Sequence, residues 1–181
     1  MSMKKMFCFA LLLLPLAWLA GCAAYGQEEG VPAEAGFLLE PFYFPFGDAS
    51  IQLGANMEDV IGLLGSPLDT FEVPSCAFEG TDIVFRFPGI QIHTVPLGEV
   101  HMVHTIALFD DTVSTAEGIM LGSALDDLLL AYGSEYVEEF GLYTFARGYS
   151  SISFLVRDGY VFAITYELDL EMFDGGNLHG H

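Results

Sequence analysis

Lysine is nearly missing from this 181-residue sequence: it occurs only at Lys4 and Lys5, and the other cations are Arg86, Arg147 and Arg157. A chain so poor in cations cannot neutralise a row of phosphates, so nucleic acid is excluded as a partner. A Walker A loop is excluded for want of its lysine. Cysteine is scarce as well, with only Cys8, Cys22 and Cys76, too few for a disulfide framework. The longest apolar run, residues 6–20, falls short of the roughly 20 residues that span a bilayer. Several catalytic signatures are also missing. "GYSSI" at residues 148–152 fails the last position of a G-x-S-x-G elbow, and no CxxC, HExxH or helix-opening G-x-G-x-x-G occurs. The sequence therefore points to no cofactor and to a chain that is not an enzyme.

What is present begins with an address. "MSMKKMFCFALLLLPLAWLAGC" joins a two-lysine start to an apolar stretch and small residues before a cysteine, the pattern of a secretory signal over residues 1–21. Its last letters, Leu19-Ala20-Gly21-Cys22, resemble the lipobox of bacterial lipoprotein precursors. That resemblance implies that Cys22 becomes the diacylated N-terminus, and two acyl chains hold a protein stably on a membrane. The chain is then expected to be lipid-anchored in a cell membrane or outer membrane, facing away from the cytoplasm. Cys8 leaves with the signal, so Cys76 has no intramolecular partner and reads as a small buried apolar residue.

All 25 acidic residues lie beyond residue 21, where three arginines oppose them, leaving a formal charge of −22. Such a field repels anionic headgroups and suits cations or a basic protein partner. Residues 22–36 are small, polar and acidic with Gly and Pro, the composition of a tether. Residues 37–47, "FLLEPFYFPFG", are aromatic but broken by Pro41 and Pro45, so they read as an edge strand or an extended segment laid over the core. The sharper expectation is that Phe37, Phe42, Phe44 and Phe46 form a partner-binding aromatic patch.

Two stretches nearly repeat each other: "LGANMEDVIGLLGS" from Leu53 and "LGSALDDLLLAYGS" from Leu121. Met57, Val60, Ile61 and Leu64, like Leu125, Leu128, Leu129 and Tyr132, fall at i, i+3, i+4 and i+7, which predicts a helix with one apolar stripe in each. Asn56 or Ser123 can cap the start, paired acids occupy the first turn, and Gly65 and Gly133 suit the end. After each helix the period falls to two: Ile83, Phe85 and Phe87, then Ile152, Phe154 and Val156. "RDGY" at residues 157–160 signals a hairpin leading into a strand over residues 161–167, and "PLGE" at residues 96–99 signals another before residues 103–109. The expectation is an α+β fold of two tandem pseudo-repeats, each a short helix followed by an antiparallel β-meander. The lobes would span residues 51–111 and 119–170 of one domain over residues 37–170, with a Gly-rich tail at residues 171–181. A unit of about 65 residues buries too little surface to stand comfortably alone.

The repeated Gly, paired acids, aliphatic and closing Gly, followed by a meander, resemble the BamE/SmpA-OmlA-like lipoproteins and the tandem β-lactamase-inhibitor-like repeat proteins. That resemblance implies a sheet surface that binds other proteins, as an adaptor or inhibitor-like module, with no catalytic residue to carry over. The competing reading is a metal-dependent envelope protein. A turn at residues 96–99 that pairs Val95 with Val100 sets His93 opposite Met102, with His104 diagonal on the same side and His101 on the other. His93 and His104 would need carboxylate help to hold a metal. Asp169, Glu171 and Asp174 offer oxygen ligands for calcium but lack EF-hand spacing.

Overall fold

The computed structural model describes residues 40–76 and 78–173. The expected signal, Cys22, the tether, Phe37, Asp174 and the rest of the tail lie outside the described residues. Among those described, no helix is long and apolar enough to cross a membrane.

Strand dominates. A short hairpin of β1 (Tyr43–Phe46) and β2 (Ala49–Gln52) is followed by helix α1 (Met57–Leu64) and four strands. These are β3 (Asp69–Pro74), β4 (Thr81–Phe87), β5 (Ile90–Leu97) and β6 (Val100–Leu108). Helix α2 (Leu125–Tyr132) then precedes β7 (Val137–Glu139), β8 (Leu142–Arg147), β9 (Ser150–Arg157) and β10 (Tyr160–Leu168), and a last turn forms α3 (Leu170–Phe173). β1 and β2 make a two-stranded sheet; the others make one antiparallel sheet in the order β3-β4-β5-β6-β10-β9-β8-β7.

That order corrects the expected α+β class of two tandem helix-plus-meander units. The two sets of strands are not two lobes in contact but halves of a single eight-stranded sheet, and the helices are two turns each. The physical reason is backbone pairing. β6 and β10 would each present an open edge, and joining them satisfies both rows of polar groups while merging two small apolar faces into one. Ile164 pairs with Leu108 and Tyr166 with Ile106 across this seam.

The helices form where the stripe predicts. The Asn56 side chain accepts from the Glu58 N–H at 3.0 Å, whereas Ala124 begins α2 with no side-chain cap. Gly65 and Gly133 end the helices with φ of 81° and 83° but with extended ψ, and their N–H groups reach Ile61 O and Leu129 O. Each helix is tied to the sheet just before its first turn. Gly54 N–H donates to Val103 O at 2.8 Å, and Gly122 N–H donates to Val161 O at 2.8 Å.

The core fills the space between one face of the sheet, the helices and the β1–β2 hairpin. One cross-strand row on that face runs Phe85, Ile92, Ile106, Tyr166, Ile152 and Phe145, all buried. The aromatic segment belongs here, which corrects the expected partner-binding patch. Phe42 is 5% exposed and Phe44 0%, while Phe46 packs against the core from a partly buried position. Strand alternation turns Phe44 inward beside Ile51, its cross-strand partner. The Phe44 ring meets Tyr166 edge-on at 5.9 Å, and Phe42 N–H donates to Ser150 Oγ at 2.7 Å. Cys76, expected to be buried, is exposed, because it follows the edge strand β3, none of whose residues is covered.

Phe44→Ala is therefore expected to cost about 3–5 kcal/mol, as core Phe truncations do. Equilibrium urea unfolding measures it, and a cost near zero would restore Phe44 to a surface role.

Candidate functional site

α1, α2 and the β1–β2 hairpin pack on the core side of the sheet, and the other face is bordered at one end by α3. Residues adjacent to the core rows point there by strand alternation. One row runs from Phe71 and buried Val84 through His93, Thr105, Glu167 and Ser151 to Ala146. The next crosses all eight strands, with Asp69, Arg86 and Gln91 on one side and Ala107, Thr165, Ser153, Thr144 and Val137 on the other. Its centre is small and polar, Ala107, Thr165, Ser153 and Thr144 being half-buried, and Thr144 Oγ1 and Ser153 Oγ bond each other at 2.9 Å. On this face the backbone lies close to the surface, so a second molecule can approach it closely.

His93 and His104 sit on this face, in a register that differs from the expected one. Leu97 pairs with Val100 and Val95 with Met102, so the turn is Gly98-Glu99, not residues 96–99. His93 faces Thr105, and the register slips between His93 and Thr94, leaving His104 as the unpaired extra residue of a bulge. The bulge brings His104 close enough to His93 for His93 to sense its charge. His101 points elsewhere, its Nδ1 bonded to Thr94 Oγ1 at 3.2 Å. Burial holds the His93 imidazole below its ordinary pKa, the neighbouring His104 lowers it further, and Asp82 partly offsets both. Asp82 Oδ1 is itself buried and makes no hydrogen bond.

His104 also borders a cleft of about 410 Å³ at one end of the sheet. The β8–β9 turn at Gly148, Ser151, Glu167 and the start of α3 complete it, bringing Asp169 and Glu171 to the same rim. Three of the sequence's metal candidates, His104, Asp169 and Glu171, thus share a cleft, with His93 beside His104. They do not converge: among the described residues no set of three or more His, Cys, Asp or Glu could hold a metal ion. Asp169 has a local task, its Oδ1 accepting from Met172 N–H at 3.0 Å to cap α3.

A second polar cluster was not foreseen. The Tyr132 ring packs among Phe145 and Phe154 at 5.1 and 4.9 Å, and its hydroxyl donates to Glu117 Oε2 at 2.5 Å. Arg147 approaches Glu117 Oε1 at 3.8 Å and lays its guanidinium over the Phe42 ring at 3.9 Å. The Tyr166 hydroxyl and Arg147 Nε are buried beside them without a hydrogen bond. Burial above all pushes both phenols far above their ordinary pKa, so both remain protonated. The cluster locks the β1–β2 hairpin to β8. Its one signal in the sequence was the rarity of Arg147, a cation among so many acids.

Comparison with family models, with curated proteins and with solved structures found no match to this chain.

The lowered His93 pKa carries a consequence for acid stability. A base that binds its proton more weakly when folded contributes fully above the unfolded value of about 6.5, and that contribution is lost as pH falls below it. Unfolding midpoints are expected to fall between about pH 7.5 and about pH 5, and less steeply in His93→Gln. Identical profiles for the two proteins would show that His93 is not the sensitive group.

Proposed function

We propose that this chain is a membrane-anchored extracytoplasmic lipoprotein whose domain binds a protein partner, as an adaptor or inhibitor-like module, on the open face of its eight-stranded sheet. The observation that carries the reading is the contrast between the two faces. One is packed with Phe85, Ile92, Ile106, Ile152 and Phe145. The other presents small, half-buried Ala107, Thr165, Ser153 and Thr144, with exposed Phe71 and Leu142 toward opposite ends. A broad surface of small polar side chains rimmed by apolar ones has the composition of a recognition surface that keeps its complementarity in shape rather than in bulk hydrophobicity. The acidic excess favours a basic partner, through steering and choice of partner more than through raw affinity. The lipobox letters at residues 19–22 support the anchor, and the segment up to residue 36 supports a tether that lets the face reach a partner near the membrane.

Photo-crosslinking in intact cells tests this. A benzophenone side chain placed at Ser153 or Thr165 is expected to give the same protein adducts in the membrane fraction, and one at exposed Leu63 on α1 is expected to give none. Cys22→Ser is expected to move the adducted chain off the membrane or to block its processing. Failure to obtain adducts from either face position, or the same adducts from all three, would overturn the reading.

A further inference from the structure

Six hairpins among the described residues turn through two residues; the β4–β5 turn is Pro88-Gly89, with a positive φ only at Gly89, and in the other five the first turn residue has a positive φ. In three of these five it is glycine: Gly47, Gly98 and Gly148, at 59°, 65° and 58°. In the β9–β10 hairpin it is Asp158, at 52°, followed by Gly159, the favoured Asp-Gly pair for such a turn. The β7–β8 hairpin has the same geometry, φ 52° and then Gly141 at 82°, but the residue is Phe140. An aromatic residue is disfavoured at positive φ, and burial does not compensate it, because Phe140 is 102% exposed. Neither turn chemistry nor packing accounts for the ring. Phe140 and Asp158 form an internal comparison in which only one residue suits its backbone.

The surroundings indicate what the ring would meet. The β7–β8 turn is bonded to the neighbouring hairpin, Val156 N–H donating to Gly141 O at 2.8 Å, so the two turns lie side by side at one end of the sheet. That end carries exposed Tyr160 as a second aromatic, and the acids Glu139 and Asp158, both exposed. Arg157, the cation at that end among the described residues, already lies over the Phe162 ring at 4.2 Å. Exposed aromatic rings beside unpaired carboxylates recognise ammonium and guanidinium groups by cation–π attraction and charge. A second copy of this chain, with its large acidic excess, lacks the complementary charge.

We infer that the Phe140 turn, with Glu139, Asp158 and Tyr160, is a docking point for a cationic, extended segment of a partner protein. It rests on the reading of the chain as a protein-binding module, and adds the chemistry of the partner and a contact outside the open face. Phe140 is the anchor, held out by a strained turn, and the two carboxylates draw in the basic side chains. The mildly unfavourable backbone is kept because the ring acts on another molecule.

The test is a variant expected to move stability and binding in opposite directions. In Phe140→Asn the turn receives the favoured Asn-Gly pair. The probe is a synthetic peptide of alternating arginine and leucine, titrated against the mature full chain in phosphatidylcholine nanodiscs, with empty nanodiscs as blank and the glutamate analogue of the peptide as control. The wild type is expected to bind the arginine peptide and not its analogue, more weakly as salt rises. Phe140→Asn is expected to lose affinity by about tenfold or more while its thermal midpoint stays the same or rises. Glu139→Gln with Asp158→Asn, which preserves the turn, is expected to lose affinity as well. Unchanged affinity in Phe140→Asn, a lowered midpoint, or indifference to peptide charge would overturn the inference. So would a wild-type dimer in sedimentation that Phe140→Asn abolishes, since the occupant would then be a second copy. Adducts from Ser153 and Thr165 that persist when Phe140→Asn binds as the wild type would leave the open-face reading intact and remove this one alone. Peptide binding that depends on Phe140, without face adducts, would do the reverse.

Discussion

The pairing of β6 with β10 is the constraint on which the rest of the molecule depends. Four consecutive residue pairs, from Thr105 with Glu167 to Leu108 with Ile164, join strands far apart in sequence. They turn two four-stranded pieces, each too small for a comfortable core, into one sheet with a continuous apolar face. Tyr166 and Ile106 sit at the centre of that face, and the hairpin that covers it is placed by Phe44 against Tyr166 and by Arg147 over Phe42. The helices add an apolar stripe each and are held by backbone bonds to β6 and β10 themselves, through Val103 and Val161. The seam strands therefore carry both the sheet and its cover.

The same constraint shapes the surface available for recognition. Covering one face with hairpin and helices leaves the other to small polar side chains, with the His104 bulge and the cleft beside α3 at one end and the paired turns of Phe140 and Asp158 at the other. The two ends differ in chemistry. At the first, His104 is tied to Thr105 and Asp169 to the α3 cap. At the turn end a fully exposed ring stands on a backbone that does not suit it. An acidic domain on a tether, anchored through Cys22 as proposed, would present both to a basic partner at the membrane surface.

Local features were legible in the sequence where local physics decides them. The i, i+3, i+4, i+7 stripes marked α1 and α2, the closing glycines marked their ends, and the period-two runs at Ile83 and Ile152 marked strands with one buried face. The Asp-Gly pair at residues 158–159 marked its turn. The β6–β10 pairing was not legible, because alternation along a strand says which face is buried but not which strand lies beside it, and so the fold class was misjudged. His93 and His104 were placed near each other, but through a register that the bulge overrides. Pro41 and Pro45 suggested an edge strand or an extended segment laid over the core, and it was the density of aromatics that assigned Phe42 and Phe44 to a partner; the hairpin tolerates Pro45 within β1, which pairs only with β2. Phe140 drew no notice, since only the φ of its turn and its exposure distinguish it from a core aromatic.

Native-state hydrogen exchange across the seam tests the central claim most directly. The amides bonded between residues 105–108 and 164–167 are expected to exchange only through global unfolding, with the same free energy as the innermost amides of β5 and β9. Exchange at the seam through a distinctly cheaper opening, while β4–β5 and β8–β9 stay protected, would mean that the halves part as separate lobes and would contradict the single-sheet account.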